Sequence, residues 1–371
     1  MSESTTLFPP KTTAAAAARA PAGWTIGRWL WLIAALALIC YLPVLLTDRT
    51  VFGMRLSNMQ LLNLGLSQVN LMLIAMLGAL SLNYLTGCAG LISIGHAAFY
   101  AVGAMTAAIT GSQWGWPFPL VMLASGVTGA LAGVLAGLPS LRVRGLYFVL
   151  STFAVHYIVV FGFQEYQFRH FDVVGVPYKP ATLGPIDLNT PMRWYFFLVP
   201  LVALTYWGLK NTLRTREGRV MMAMRDHELA TTAVGVDVRI LRLKAFAFSS
   251  AIAAMAGAVY AYYLSNVTSE FFNINFAIQF IAMIIIGGMG SLPGSLIGAA
   301  VWLLLPSIIN GFAPMAGDST GLVRSLLVDH KPQLVQLIFG MMVILLLIFA
   351  PGGFAGIIAK LRDRLATQRR L

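Results

Sequence analysis

The residues of this 371-residue chain that could do chemistry are mostly charged groups concentrated in residues 210–244. Eight of the 25 lysines and arginines lie in that stretch, between two long apolar segments. Elsewhere the chain shows no Ser-His-Asp set and no cluster of carboxylates or histidines suited to acid–base catalysis. The sequence therefore predicts no catalytic residue, no metal site and no enzyme, and it indicates that the charged stretch is a docking surface.

The composition places the chain in lipid. It is 58% hydrophobic and 10% charged, with a mean hydropathy of +0.78, whereas a soluble domain has about a quarter of its residues charged. The net charge of +12 is interpreted as a membrane-topology signal rather than as a nucleic-acid binding surface. Cys40 and Cys88 lie in or beside apolar segments and are interpreted as small apolar fillers.

A helix that crosses a membrane needs about 20 mostly apolar residues, and the sequence offers a series of such segments. They fall at 28–46, 67–86, 89–110, 118–138, 145–164, 193–209, 245–264, 275–290, 294–311 and 333–350. The predicted fold is therefore an all-α, polytopic transmembrane helical bundle of about 8–10 spans. The glycine-rich regions 87–95 and 286–294 are candidates for broken or re-entrant helices.

The basic residues predict the orientation of these spans. With the N-terminus in the cytoplasm, 18 of the 25 lysines and arginines fall on the inner side and 7 on the outer side, in agreement with the positive-inside rule. Both termini are then cytoplasmic. Residues 1–27 are expected to be a disordered tail, residues 28–357 the transmembrane domain with its loop at 210–244, and residues 358–371 a basic tail.

The acidic residues and lysines limit the possible energy sources. None of the 13 acidic residues lies in the middle of a predicted span, which argues against a proton-driven carrier. The same observation argues less strongly against a sodium-driven carrier, because backbone carbonyls can bind sodium. A phosphate-binding loop needs a Gly-Lys pair, and the chain has none. If ATP drives this protein, another subunit must hydrolyse it, and the charged stretch is the expected contact.

The charged stretch is predicted to be helical over residues 216–235. Residues 217–234 contain no proline and one glycine, and an apolar stripe at helical spacing is formed by Val220, Met221, Met224, Ala230 and Ala233. Gly235 suits the end of such a helix. Two interpretations remain open: a helix that docks another protein, or an amphipathic helix that lies on the membrane.

Two glycine-rich segments are expected to shape a translocation path. Gly87 and Gly90 have the same spacing as Gly287 and Gly290, which is consistent with an internal repeat or with chance. The residues assigned to the path are Gly90, Ser93, Gly95, His96, Gly287, Gly288 and Gly290.

Structural explanations compete with a path role. Close helix packing is favoured for Gly103 and Gly298. His96 and His156 are each open to being a buried structural residue or a substrate ligand.

Four segments together resemble one family of membrane proteins. They are Gly90-Leu-Ile-Ser-Ile-Gly-His-Ala-Ala-Phe99, Leu141-Arg-Val-Arg-Gly-Leu-Tyr147, the stretch from Arg216 to Gly235, and Ala350-Pro-Gly-Gly-Phe-Ala-Gly356. Over residues 67–357 the chain resembles the permease subunits of ABC importers for branched-chain amino acids, of the LivM type. That family also includes permeases for urea, amides and other small polar compounds.

The resemblance implies an ABC importer permease fold in a bacterial inner membrane. The implied partners are a second permease subunit, two cytoplasmic ATP-binding subunits and a periplasmic substrate-binding protein. No cofactor is expected in this chain, because the partner binds ATP, and no nucleic acid is expected.

The stretch 216–235 is similar to that family's coupling loop, although Glu228-Leu-Ala departs from the usual Glu-Ala-Ala triplet. The residues that the resemblance assigns to coupling are Arg216, Gly218, Arg219, Ala223, Arg225, Glu228, Ala230 and Gly235. The alternatives from other classes are a sodium-driven carrier acting alone and, ranked last, a membrane-embedded enzyme.

Overall fold

Twelve helices make up most of the part of the chain that the computed structural model describes, which is residues 43, 50–51, 54–55, 65–141, 145–171, 175–312, 331–350 and 352–368. In chain order they are α1 Leu66–Leu82, α2 His96–Ala107, α3 Phe118–Gly137, α4 Leu146–His170, α5 Pro191–Arg214, α6 Arg216–Asp226, α7 Glu228–Ala233, α8 Val238–Leu264, α9 Ile274–Gly287, α10 Leu292–Phe312, α11 Lys331–Phe349 and α12 Gly353–Gln368. The all-α prediction is confirmed.

Two helix breaks lie in the glycine-rich regions 87–95 and 286–294, as predicted. Helix α1 continues as a π-helix, Asn83–Cys88, and the chain is then non-helical until α2 begins at His96. The predicted span 89–110 is therefore wrong at its start, because its first residues form the break. The second break separates α9 from α10 and contains Gly288 and Gly290, whose φ angles of +111° and +82° no regular helix accepts.

Five described helices are long and apolar enough to cross a membrane: Leu66–Cys88, Phe118–Gly137, Tyr147–His170, Pro191–Arg214 and Val238–Leu264. Three shorter apolar helices are Ile274–Gly287, Leu292–Ile308 and Gln333–Phe349.

The ends of the predicted spans differ from the structure in places. The predicted span 145–164 ends too early, since α4 continues to His170 and includes Glu165, which pairs with Arg169 at 2.6 Å. The predicted boundary between residues 357 and 358 falls inside α12. Apart from Pro43, the predicted tail 1–27 and the span 28–46 lie outside the described residues.

Helix α8 lies at the centre of the bundle because small residues let other helices approach its backbone. A Cβ atom on Gly103 of α2 would collide with Ala254 O of α8, and one on Gly257 of α8 would collide with Tyr100 O of α2. Gly298 brings α10 equally close to Met283 O of α9. The packing role predicted for Gly103 and Gly298 is confirmed.

The described residues include six two-residue strands, two before α1 and four in the connections between later helices. They are β1 Thr50–Val51, β2 Met54–Arg55, β3 Val176–Pro177, β4 Thr182–Leu183, β5 Ile186–Asp187 and β6 Asn266–Val267, paired antiparallel as β1–β2, β3–β6 and β4–β5. The β3–β6 pair joins the segment after α4 to the end of α8. Beside it, Tyr178 Oη donates to Ala104 O at 3.0 Å. Burial raises the pKa of Tyr178, so its hydroxyl remains a donor.

Candidate coupling site

The two helix breaks meet through the side chain of Asn83. Its Nδ2 donates to Ser291 O at 2.8 Å, and its Oδ1 accepts from Gly290 N, also at 2.8 Å. These bonds satisfy backbone groups that the second break leaves without helix partners. The approach is close enough that a Cβ atom on Gly87 would collide with Gly290 N.

Arg225 of α6 reaches the same place from outside the apolar spans. Its Nη1 donates to Gly87 O at 2.5 Å. A Cβ atom on Gly90 would lie 3.0 Å from Arg225 Cγ, and one on Gly290 would lie 2.6 Å from Arg225 Nη1. We call Asn83, Gly87, Gly90, Arg225 and Gly290 the glycine junction.

The start of α12 packs against the second break. A Cβ atom on Gly288 would collide with Gly352 O, and one on Gly353 would lie 2.5 Å from Gly288 N. Gly353 itself has a φ of +61° and bonds to Ala350 O at 2.7 Å. Gly352 and Gly353 therefore pack directly against the second break.

Helix α6 is held to the ends of α5 and α8. Thr215 caps α6 by accepting from Gly218 N at 3.2 Å, and Gly218 is buried so closely against Thr212 O that a Cβ atom would not fit. Glu217 pairs with Lys244 of α8. Helix α6 therefore contacts α5, α8 and, through Arg225, the glycine junction.

Helix α7 is held by a separate ion pair. Glu228 Oε2 lies 2.6 Å from Arg242 Nη2 of α8, whose side chain is 10% exposed. Gly235, at φ +86°, follows α7 and donates to Thr232 O at 2.9 Å. The prediction that Gly235 ends a helix is confirmed.

The predicted single helix over residues 216–235 is wrong. His227, with φ −149° and ψ 90°, interrupts it and gives two helices, α6 and α7. The predicted apolar stripe splits accordingly: Met221 and Met224 are buried, whereas Ala230 and Ala233 are exposed.

The surface that α6 and α7 expose is partly apolar. Leu229 is 80% exposed and Val234 is 84% exposed. Of the residues assigned to coupling, Arg216, Arg219, Ala223 and Ala230 are also exposed. Arg219 donates to Arg214 O at 3.1 Å.

The residues assigned to the translocation path fall into two groups. Gly90, Gly288 and Gly290 lie at the breaks, and Gly287 is packed against Gly294 O beside them. Ser93 and Gly95 also lie in the first break but are buried, as is His96 at the start of α2, and Gly95 packs against Thr152 O of α4. A role in the translocation path stays a prediction for both groups.

His96 has the polar partner that a buried histidine requires. Its Nε2 lies 2.7 Å from Ser81 Oγ, which is also 2.8 Å from Gly78 O. Since Ser81 has one hydroxyl proton to give to Gly78 O, its oxygen accepts from the histidine N–H. Ser249 of α8 donates to Ser81 O at 2.7 Å. This network joins α1, α2 and α8.

Sequence reasoning missed Asn83 and Arg242. Asn83 is a fully buried amide inside an apolar span, and a polar residue in such a position is a signal that could have identified it. Arg242 was grouped with the other basic residues of the charged stretch, and nothing in its spacing from Glu228 indicates their contact. The site as a whole consists of hydrogen bonds between the two breaks and α6, glycines at positive φ angles, and exposed residues of α6 and α7.

Comparison with known proteins identifies relatives of the whole bundle. The family model described as "Branched-chain amino acid transport system / permease component" matches residues 65–347, more than half of the chain. The chain is 27% identical over 340 residues to the high-affinity branched-chain amino acid transport system permease protein LivM of Escherichia coli (strain K12), covering 84% of this chain and 75% of that protein.

Two further relatives carry similar names. The LivM protein of Salmonella typhimurium is 26% identical over 283 residues, covering 68% of this chain and 65% of that protein. A probable branched-chain amino acid transport permease protein LivM of Methanocaldococcus jannaschii is 25% identical over 240 residues, covering 63% of this chain and 67% of that protein.

Proposed function

We propose that this chain, which belongs to the family of permease components of branched-chain amino acid transport systems, is the membrane subunit of an ATP-driven importer of branched-chain amino acids. The protein is embedded in a membrane, and the proposal places it in a bacterial inner membrane with both termini in the cytoplasm. A second permease subunit completes the path, two ATP-binding subunits dock on α6 and α7, and a periplasmic binding protein delivers the substrate. The chain itself has no catalytic role.

The hydrogen bond from Arg225 to Gly87 supports the proposal most directly. It joins a helix that lies outside the apolar spans to a break within them. Because a broken helix lacks part of its ladder of backbone hydrogen bonds, it moves at lower cost than a continuous helix. A displacement of α6 therefore acts on the broken helices, which deform at a lower energetic cost than the continuous helices of the bundle.

The expected motion follows from these contacts. When the ATP-binding subunits close, α6 and α7 shift together, and Arg225 moves the Gly87 carbonyl with them. Asn83 transmits the movement to Gly290 and Ser291 in the second break. The glycines at φ angles above zero absorb the change of backbone direction, as hinge residues do.

The test is ATP-driven leucine uptake by the complete transporter in proteoliposomes. Arg225→Met keeps the length and apolar stem of the side chain but removes the donor, so uptake and substrate-stimulated ATP hydrolysis should both fall about tenfold. The matched control is Arg193→Met, since Arg193 also donates to a backbone carbonyl, Asp187 O at 2.9 Å, but lies at the start of α5, away from α6; it should leave both rates near wild type.

Unchanged uptake and hydrolysis in the Arg225→Met variant would remove the coupling role of α6. Leucine accumulation by the isolated chain in a sodium gradient, without ATP, would support the rival sodium-driven carrier instead.

A further inference from the structure

Two adjoining cavities lie along α9, and their polar lining residues lie at the end of that helix away from the glycine junction. The first, of about 670 Å³, is lined by α1, α9 and the segment before α9, and it reaches Tyr100 of α2. The second, of about 840 Å³, is a groove between α9, α10 and α11. They share four lining residues: Asn275, Gln279, Trp302 and Gln336. Both volumes are in the range of small-molecule sites.

The first cavity is polar at its mouth and aromatic at its floor. Glu270 and Thr268 lie at the mouth. The floor is formed by Tyr100 and Phe280, whose ring centroids are 5.0 Å apart and against which Gly78 packs without room for a Cβ atom. From Ile74 beside this floor to Gly87 is roughly 20 Å along α1, at about 1.5 Å per residue. On α9 the lining extends to Met283, one turn before Gly287, so the aromatic floor lies between the polar mouth and the glycine junction.

The second cavity is almost entirely apolar. Beyond the shared amides its walls are aliphatic and aromatic side chains such as Ile281, Ile285 and Val343, with the Trp302 and Phe339 rings packed edge to face. Its form suits an aliphatic side chain and excludes a charged one.

The amides between the two cavities are informative because most other residues of the helices that carry them are apolar. Asn275 and Gln279 lie one turn apart on α9, and Gln336 lies across from them on α11. An amide facing hydrocarbon would lose its hydrogen bonds to water, so such groups face a water-filled path or another protein. Since the first cavity extends inward to the fully buried Tyr100, its shape is that of a binding pocket rather than of a flat contact surface.

We propose that these cavities form a substrate site for a zwitterionic amino acid with a branched aliphatic side chain, a proposal that rests on the importer function above. Glu270 accepts from the ammonium group, the amides of Gln279 and Gln336 donate to the carboxylate, and the side chain enters the groove between α9 and α11. Such a division between a polar head and an apolar tail distinguishes this substrate class from urea and simple amides, which have no tail to fill the groove.

Substrate protection against chemical labelling tests the site directly. The assembled transporter carries Cys40→Ala and Cys88→Ala in this chain. Asn275→Cys, at a lining residue shared by both cavities to which no substrate contact is assigned, is modified by a membrane-impermeant methanethiosulfonate reagent. Leucine should slow that modification about tenfold, whereas urea should not. The matched control is Gln333→Cys, because Gln333 is an exposed glutamine of α11 that lines neither cavity; its labelling should not respond to leucine.

Selectivity provides a second measurement. Ala282→Phe fills part of the groove and should lower the ratio of leucine uptake to alanine uptake about tenfold, as expected when a pocket loses room for a few methylene groups. Gln336→Leu should lower uptake of both amino acids, and Gln333→Leu should lower neither.

The outcomes separate this proposal from the importer function. Leucine uptake by the transporter without protection of Asn275→Cys, and with an unchanged uptake ratio in Ala282→Phe, overturns the site and indicates that lipid or the second permease subunit fills the groove. Protection by leucine without ATP-driven uptake keeps the site and overturns the importer. Protection by urea overturns the proposed substrate class.

Discussion

Two separate constraints at the glycine junction favour glycine over any other residue at position 290. The φ of +82° at Gly290 is unfavourable for a residue with a Cβ atom, and that atom would lie 2.6 Å from Arg225 Nη1. Gly290→Ala should therefore lower the free energy of unfolding by about 1–3 kcal/mol and weaken the Arg225 bond to Gly87. Thermal unfolding of the purified chain in detergent measures the first effect, and ATP-driven uptake measures the second.

Gly340→Ala is the matched control for that substitution. Gly340 lies within α11, and a Cβ atom there meets nothing within 4 Å. Since alanine is favoured over glycine in a helix by about 1 kcal/mol, this variant should unfold at the same temperature as wild type or higher. A loss of stability equal in the two variants would contradict the steric argument for Gly290.

At the level of helices, hydropathy and glycine content predicted most of the bundle. Helix α3, Phe118–Gly137, and the two breaks agree with expectation, because length, apolar content and glycine are local properties of the chain. The interruption at His227 was not predictable in this way, since no proline or glycine marks it. The joining of the breaks by Asn83 depends on residues some two hundred positions away, and a single sequence does not record that contact.

The interruption at His227 makes α7 a short helix that depends on its contact with α8. With six residues it is too short to be stable alone, and Glu228 binds it to Arg242. Arg242→Met should destabilise the attachment of α7 by about 1–2 kcal/mol, less than for a fully buried pair, because Glu228 is partly exposed to water. Hydrogen exchange of backbone amides 228–233 should become faster, while exchange in α8 beyond its first turns should not change.

Arg239→Met is the control for this substitution, since Arg239 is an exposed arginine on the same helix. It should leave exchange in α7 unchanged. Equal acceleration in both variants would mean that charge at the start of α8, rather than the contact with Glu228, holds α7.

Across the whole molecule, the proposed functions separate to opposite ends of the spans. The charged stretch and the glycine junction lie at one end, and the polar mouth of the first cavity with Glu270 lies at the other, with the aromatic floor between them. Helices α1 and α9 run through both regions, so a movement of their broken ends at the junction also changes the walls of the first cavity. This arrangement is what alternating access requires of a passive subunit.

The exposed apolar surface of α7 should then be covered in the assembled transporter. Leu229 and Val234 are more than three-quarters exposed although they flank charged residues outside the spans, and apolar surface of this kind marks a protein contact. Leu229→Asp with Val234→Asp should prevent the ATP-binding subunits from co-purifying with the chain, while the unfolding temperature of the chain alone should change little, as for other surface substitutions.

Ile186→Asp is the control, because Ile186 is also exposed but lies before the start of α5, at the opposite end of that helix from α6. It should leave co-purification intact. Retention of the ATP-binding subunits by the double variant would show that α7 does not contact them, and the transmission route through Arg225 would then need a different point of entry. Loss of co-purification in the double variant alone would locate the docking contact on the same short segment that the ion pair of Glu228 fastens to α8.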